Sequence, residues 1–353
     1  MEIKPDFERF MTALRCEEPD RVPLGEWHVD PEVKNAYMGR PVKDLKTLVE
    51  FWTTTGHDYV PLTAGILEPV KPIEGASRKT ESYQTQYEDS DPEREWAIEG
   101  SGVITSMEEF ERYPWPTIED MPLGKFKEVG HYLPPGMRVI LVLGKIYTPV
   151  WMLMGAEKFF MSLVEDIELV ENMFNRVGQI QFDVFQRIIE HESVGAIAMP
   201  DDLAHNLGPL IHPKYFRQYL FPWYKKMGDI CRQKGLGFIL HSDGNVWQLM
   251  EDLIEVGYHG LHPIQPNAMD INEVKEKYGT RLCLMGNINL DSTLTLGTPD
   301  EVKEEVRTRI RDLAPGGGYC VASSNSITNY VPLENYRALL EAVREYGQYP
   351  IRC

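Results

Sequence analysis

Gly237-Phe238-Ile239-Leu240-His241-Ser242-Asp243-Gly244-Asn245 changes character halfway along. The apolar run Phe238 to Leu240 stops at His241 and Asp243, and Gly244 turns into a helical pattern from Val246 to Glu255. That is the pattern of a buried strand feeding a helix, with polar groups gathered at the strand's C-terminal end. In an α/β barrel this end is the edge where chemistry is done. The rest of the chain is read by what it brings to the same rim.

Downstream, Gly260 to Ile264 forms a strand carrying His262, with Gln265 just beyond it. Leu282 to Met285 runs into Gly286-Asn287, and Tyr319 to Ala322 into Ser323-Ser324-Asn325-Ser326. Upstream, Ala196 to Met199 ends in Pro200-Asp201-Asp202, and Val139 to Leu143 is an apolar strand. Tyr59 to Leu62 and a short stretch around Val22, ending in Glu26 and His28, complete the set. Eight strands alternating with helical stretches predict right-handed parallel βα units closing into a (βα)8 TIM-type barrel. An open doubly wound sheet is the alternative, disfavoured because no GxGxxG turn follows the first strand. Asp6 caps a preceding helix, Phe7 to Cys16, with Phe7, Phe10, Met11 and Leu14 on one face. Residues 65–136 are polar or Pro-rich and read as an insertion decorating a single domain that spans residues 1–353.

The length of 353 residues suits one such barrel, and an apolar share of 42% supplies its core. A net charge of −18 argues against nucleic acid and anionic membranes, both of which need a basic footprint. Five scattered cysteines, none in CxxC spacing, suit a reducing compartment. No stretch approaches the roughly 20 apolar residues of a membrane span, and the N-terminus lacks a signal pattern. The expectation is a soluble cytoplasmic protein, with a homodimer left open.

If the barrel closes, its rim holds Glu26, His28, Asp201, Asp202, His241, Asp243, His262, Gln265, Asn287 and Asn325. So many carboxylates, imidazoles and amides on strand ends point to a site. His241-x-Asp243 is the sharpest unit. Alternation puts both on one side of the strand, where they can ligate a divalent ion such as zinc, iron, cobalt or manganese. The competing reading is that Asp243 orients His241 or caps the next helix. The adjacent carboxylates Asp201 and Asp202 can raise one another's pKa and serve as acid or base, or one of them can be a cap.

The chain resembles the uroporphyrinogen decarboxylase superfamily, itself a (βα)8 barrel family. The resemblance covers nearly the whole chain. It rests on Phe10–Pro23 (FMTALRCEEPDRVP), Asp201–Trp223 (DDLAHNLGPLIHPKYFRQYLFPW), His241–Asn245 (HSDGN), Met285-Gly286-Asn287, and Tyr319–Tyr336 with its Pro332-Leu333-Glu334-Asn335. True decarboxylases of that superfamily carry an Arg-rich segment near the N-terminus that binds the substrate's carboxylates. This chain has Leu24-Gly25-Glu26-Trp27-His28 there. An acidic rim is also a poor host for a polycarboxylate tetrapyrrole.

The superfamily's coenzyme M methyltransferases hold zinc with a His-x-Cys unit and a further Cys. His241 matches the His, while Asp243 and Asn325 stand at the two Cys positions. Loss of the thiolates argues against a thiol acceptor. The resemblance therefore implies an enzyme of the corrinoid-dependent methyltransferase branch. It would take a methyl group from a methoxylated or N-methylated compound to a corrinoid protein. The acid would be Asp202, Asp201, Glu26 or a zinc ion on His241 and Asp243. His28, His262, Gln265, Asn287 and Asn325 would hold the substrate. Two alternatives remain: a tetrapyrrole decarboxylase using Asp202, and a barrel that only binds a corrinoid protein.

Overall fold

The computed structural model describes residues 4–66, 78–82, 93–97 and 102–353. Seven strands form one curled parallel sheet in chain order: β1 Tyr59–Ala64, β2 Arg138–Leu143, β3 Val194–Pro200, β4 Gly237–His241, β5 Gly260–His262, β6 Cys283–Ile288 and β7 Tyr319–Ser323. Helices fill the crossovers, among them Ile167–Ile188 between β2 and β3 and Phe221–Lys234 between β3 and β4. The architecture is a TIM-type barrel.

The eighth expected strand, around Val22, is not a full strand. Leu24 makes a single parallel bridge to Val321, with Gly25 N donating to Val321 O and Val321 N to Pro23 O. Pro23 has no N–H to extend that ladder. Toward β1 the contact passes through a side chain: the Tyr59 hydroxyl donates to the carbonyls of Leu24 and Glu26. A second parallel bridge, Val29 to Ile327, follows on the β7 side, so the barrel closes there through two isolated bridges and toward β1 through a phenol.

Alternation along the strands splits the apolar residues into an outer layer under the helices and an inner barrel core. The inner core includes Tyr59, Ile140, Ala196, Ala198, Ile239, Cys283, Met285 and Cys320. The helix Phe7–Leu14, capped by the Asp6 side chain, plugs the N-terminal end with Phe7, Phe10 and Leu14. Glycine makes room for it. A Cβ on Gly195 would lie 2.3 Å from the Phe7 ring, and one on Gly237 would lie 2.7 Å from Leu14 Cδ1. Arg9 pairs with Asp58 and Asp20, which fastens the plug to the barrel floor.

Between β1 and β2 lie an antiparallel pair, Arg78–Ser82 with Glu93–Ala97, and the short helix Met107–Arg112. Residues 67–77, 83–92 and 98–101 of that stretch fall outside the described residues. No helix among the described residues is long and apolar enough to cross a membrane.

Candidate active site

Beyond β4 the chain must turn sharply at Gly244, which has φ +81°, and a Cβ there would meet the Ala204 carbonyl at 2.6 Å. Its N–H donates to Gln265 Oε1 at 2.9 Å. Ser242 N donates to His262 O, Leu203 N to Ser242 Oγ, and Asp243 N to Asp202 Oδ1. Three strand-end loops are thereby stapled together.

Within that frame Asp202, His241 and Asp243 each offer a ligand atom, and the three atoms lie within 4.8 Å of one another. His241 Nε2 is 3.9 Å from Asp243 Oδ1. Asn325 Nδ2 donates to Asp243 Oδ2 at 2.7 Å, which leaves Oδ1 buried with no hydrogen-bond partner. Burial pushes the Asp243 carboxyl above its ordinary pKa, and the charge of His241 pulls the other way. Lys145 Nζ sits 3.6 Å from Asp202 Oδ2.

The far side of His241 is held by a second ring. His241 Nδ1 and His262 Nδ1 are 2.7 Å apart, so one proton lies between them. Trp27 stacks on His262 with ring centroids 4.7 Å apart. Burial drives the His262 pKa well below the usual imidazole value, helped by repulsion from His241, so this ring is neutral. With Nδ1 engaged, the Nε2 of His241 is the nitrogen that faces the carboxylates. One imidazole nitrogen and two carboxylate oxygens, one of them without a partner, fit a divalent cation such as zinc, iron, cobalt or manganese.

Several expected residues lie elsewhere. Asp201 is fully buried and turned away from Asp202. It accepts from the N–H groups of Ile146, Tyr147 and Thr148, from the Thr148 hydroxyl and from the Tyr224 phenol. It therefore holds the start of the helix Tyr147–Met154, and every lone pair it could offer a substrate is taken. The expected mutual repulsion of Asp201 and Asp202 is not how this pair works. Burial alone raises Asp201, against the pull of those hydrogen bonds.

Glu26 is also absent from the cluster. A Cβ on Gly25 would face Cys320, Met285 and Ala322 inside the barrel, so alternation sends Trp27 inward and Glu26 outward. Glu26 Oε2 accepts from Ser323 N at 3.0 Å, and burial lifts the carboxyl to about 7. The His28 side chain is 64% exposed and pairs with Asp30 at 3.1 Å. Asn287 donates to Ile264 O, which fixes the backbone after β5. Gln265 serves the Gly244 turn.

Two members of the site escaped the sequence reading. Lys145 lies two residues past the end of β2, where a polar residue after an apolar run was the available signal. Trp27 sat between two polar neighbours and was passed over. A groove of about 1040 Å³ lies at the opposite end of the barrel, beside Asp6, Met11 and Arg138, and includes none of the clustered residues.

Residues 104–346 match the Uroporphyrinogen decarboxylase (URO-D) family. The methylcobamide:CoM methyltransferase MtaA of Methanosarcina barkeri is 26% identical over 208 residues, 58% of this chain and 58% of that protein. The alignment thus spans less than two thirds of that relative. The methylcobamide:CoM methyltransferase MtbA of Methanosarcina acetivorans is 20% identical over 247 residues, 69% of this chain and 70% of that protein. A uroporphyrinogen decarboxylase of Methylobacillus flagellatus is 31% identical over 105 residues, 30% of this chain and 28% of that protein. A solved methyltransferase from Methanosarcina mazei superposes with a TM-score of 0.69 at 21% identity, covering 96% of this chain and 98% of that one. That superposition shares the barrel, and the family match spans more than half of the sequence: the chain belongs to the uroporphyrinogen decarboxylase family.

Proposed function

We propose that this protein is a corrinoid-dependent methyltransferase of the O-demethylase type. It moves a methyl group between a methylated small molecule, such as a methoxylated aromatic, and a corrinoid protein. The observation that carries the reading is the Asp202–His241–Asp243 cluster at the barrel mouth of a chain related to methylcobamide:CoM methyltransferases. Zinc held by these three residues would act as a Lewis acid on the donor's ether oxygen or amine nitrogen.

The chain's own residues prepare that chemistry. His262 fixes which nitrogen of His241 faces the carboxylates, and Trp27 packs over both imidazoles. Asn325 holds one oxygen of Asp243 and leaves the other free for the mouth. In the transfer, the methyl carbon would take a new electron pair from the reduced cobalt of the partner's corrinoid as its bond to oxygen or nitrogen breaks with the old pair on that heteroatom. A proton must then reach that heteroatom. With Asp202 among the ligands, solvent at the open mouth supplies it. A carboxylate and an amide, Asp243 and Asn325, at the positions where the superfamily's coenzyme M methyltransferases carry thiolates favour an oxygen or nitrogen substrate.

The test incubates the protein with cob(I)alamin and a methoxylated aromatic, and follows methylcobalamin by its absorbance. His241→Ala should slow turnover by about 10²–10³-fold, the scale of removing one electrostatic stabiliser of a transition state. Unchanged turnover would remove His241 from the chemistry. Release of carbon dioxide from uroporphyrinogen, with no methyl transfer, would assign the chain to the decarboxylases instead.

A further inference from the structure

We infer that Lys145 is the substrate-selecting residue of the mouth, and that it recognises an anionic group, so the methyl donors are carboxylate-bearing compounds. The inference rests on the proposed metal-dependent methyl transfer and names the substrate class for it.

Lys145 is held rigidly from its backbone. Its N–H donates to Ile66 O at 2.8 Å, and its carbonyl accepts from Gln181 Nε2 at 2.8 Å. The preceding Gly144 is packed so tightly that a Cβ would sit 2.3 Å from Gln181 Nε2. A mobile surface lysine needs no such mounting. The result is an ammonium delivered to the cluster, 3.6 Å from Asp202 and 24% exposed. Among the described residues it is the cation of a lysine or arginine paired with Asp202, His241 or Asp243.

Charge then decides what the lysine is for. Two carboxylates against one ammonium leave the mouth with one net negative charge. A divalent cation on the same carboxylates turns that into one net positive charge. Asp202 would be claimed by the metal, and the ammonium would lose its counter-ion while its backbone stayed in place. A partly exposed ammonium beside a dication attracts an anion, and a substrate carboxylate supplies one in a form that accepts charge-assisted hydrogen bonds. If Lys145 were only a brace for Asp202, removing it would loosen the metal site. If it competes with the metal for Asp202, removing it would tighten that site.

The test uses the full chain with Lys145→Met and, as the conservative variant, Lys145→Arg. Zinc affinity is read by competition with a chromogenic chelator. Binding of 4-methoxybenzoate and of its neutral isostere 4-methoxybenzamide to the zinc-loaded protein is read by calorimetry. Lys145→Met should bind zinc about fivefold more tightly, the worth of one partly exposed ion pair. Wild type should prefer the benzoate by about tenfold, the scale of one charge-assisted hydrogen bond. Lys145→Met should lose that preference and Lys145→Arg should keep it. Zinc binding that is absent, unchanged or weaker in Lys145→Met overturns the inference. So does a wild type that binds neither compound or both equally, or a preference that survives in Lys145→Met. No readout involves cobalt or methyl transfer. A protein that selects the benzoate through Lys145 but methylates no corrinoid would therefore keep this inference and lose the reading it builds on.

Discussion

Asp201 accepts five hydrogen bonds in a fully buried position, while its neighbour Asp202 stands at the mouth beside Lys145. Asp201→Ala would strand three N–H groups and two hydroxyls at once. It should cost about 3–5 kcal/mol, measured as the loss of urea unfolding free energy. Asp202→Ala should cost little stability on the same assay, because that carboxylate is partly exposed and already half-solvated. Glu26 offers a second test. Its folded pKa is raised to about 7 by burial, from an ordinary 4.5. For a raised carboxyl the folded state is favoured below the unfolded pKa, and that advantage is lost as pH climbs through the folded value. The melting temperature of Glu26→Gln relative to wild type should therefore rise between pH 5 and 8, by the equivalent of about 3 kcal/mol. A flat difference would show that Glu26 is not held protonated. At this scale the sequence identified residue types and strand ends but not directions. Asp201 and Asp202 look alike as letters, and only the packing of Tyr147, Thr148 and Tyr224 separates a cap from a member of the mouth cluster.

The β-strands and their plug are where the sequence was most readable. The run Phe238–Leu240 ending at His241, with its equivalents at Ala196, Leu261 and Tyr319, placed β3, β4, β5 and β7 because buried parallel strands are short, apolar and abruptly terminated. The stretch near Val22, ending in Glu26 and His28, reads as a short eighth strand. It makes only isolated bridges, Leu24 to Val321 and Val29 to Ile327: Pro23 lacks the donor to extend the first toward the N-terminus, and Ser323 N is taken by the Glu26 carboxylate on the other side. The helix Phe7–Leu14 is visible from its periodicity, but its place inside the barrel floor is not, since that depends on the distant glycines Gly195 and Gly237. Gly237→Val tests the fit. The new side chain would collide with Leu14 and Ala196, and should lower stability by about 1–3 kcal/mol in thermal or urea unfolding while the mouth's zinc affinity stays unchanged. Loss of zinc binding at full stability would mean that plug and mouth are coupled in a way this packing does not supply.

Across the whole molecule, charge and chemistry point the same way. A chain of net charge −18 concentrates two carboxylates at one mouth, next to a hydrogen-bonded imidazole pair and an ammonium. Such a mouth repels a polycarboxylate until a cation is present, and then admits a small anion. The barrel supplies the rigid frame for that arrangement, and the residues that differ from the thiolate pattern, Asp243 and Asn325, are hydrogen-bonded to one another at its centre. The measurement that bears most directly on the central claim is the metal content of the purified full chain, by elemental analysis, beside His241→Ala of unchanged circular dichroism. The wild type should carry close to one equivalent of a divalent metal, zinc foremost, and the variant should lose it. A wild type reconstituted with excess zinc that retains none, or a variant that retains as much as the wild type, would contradict it.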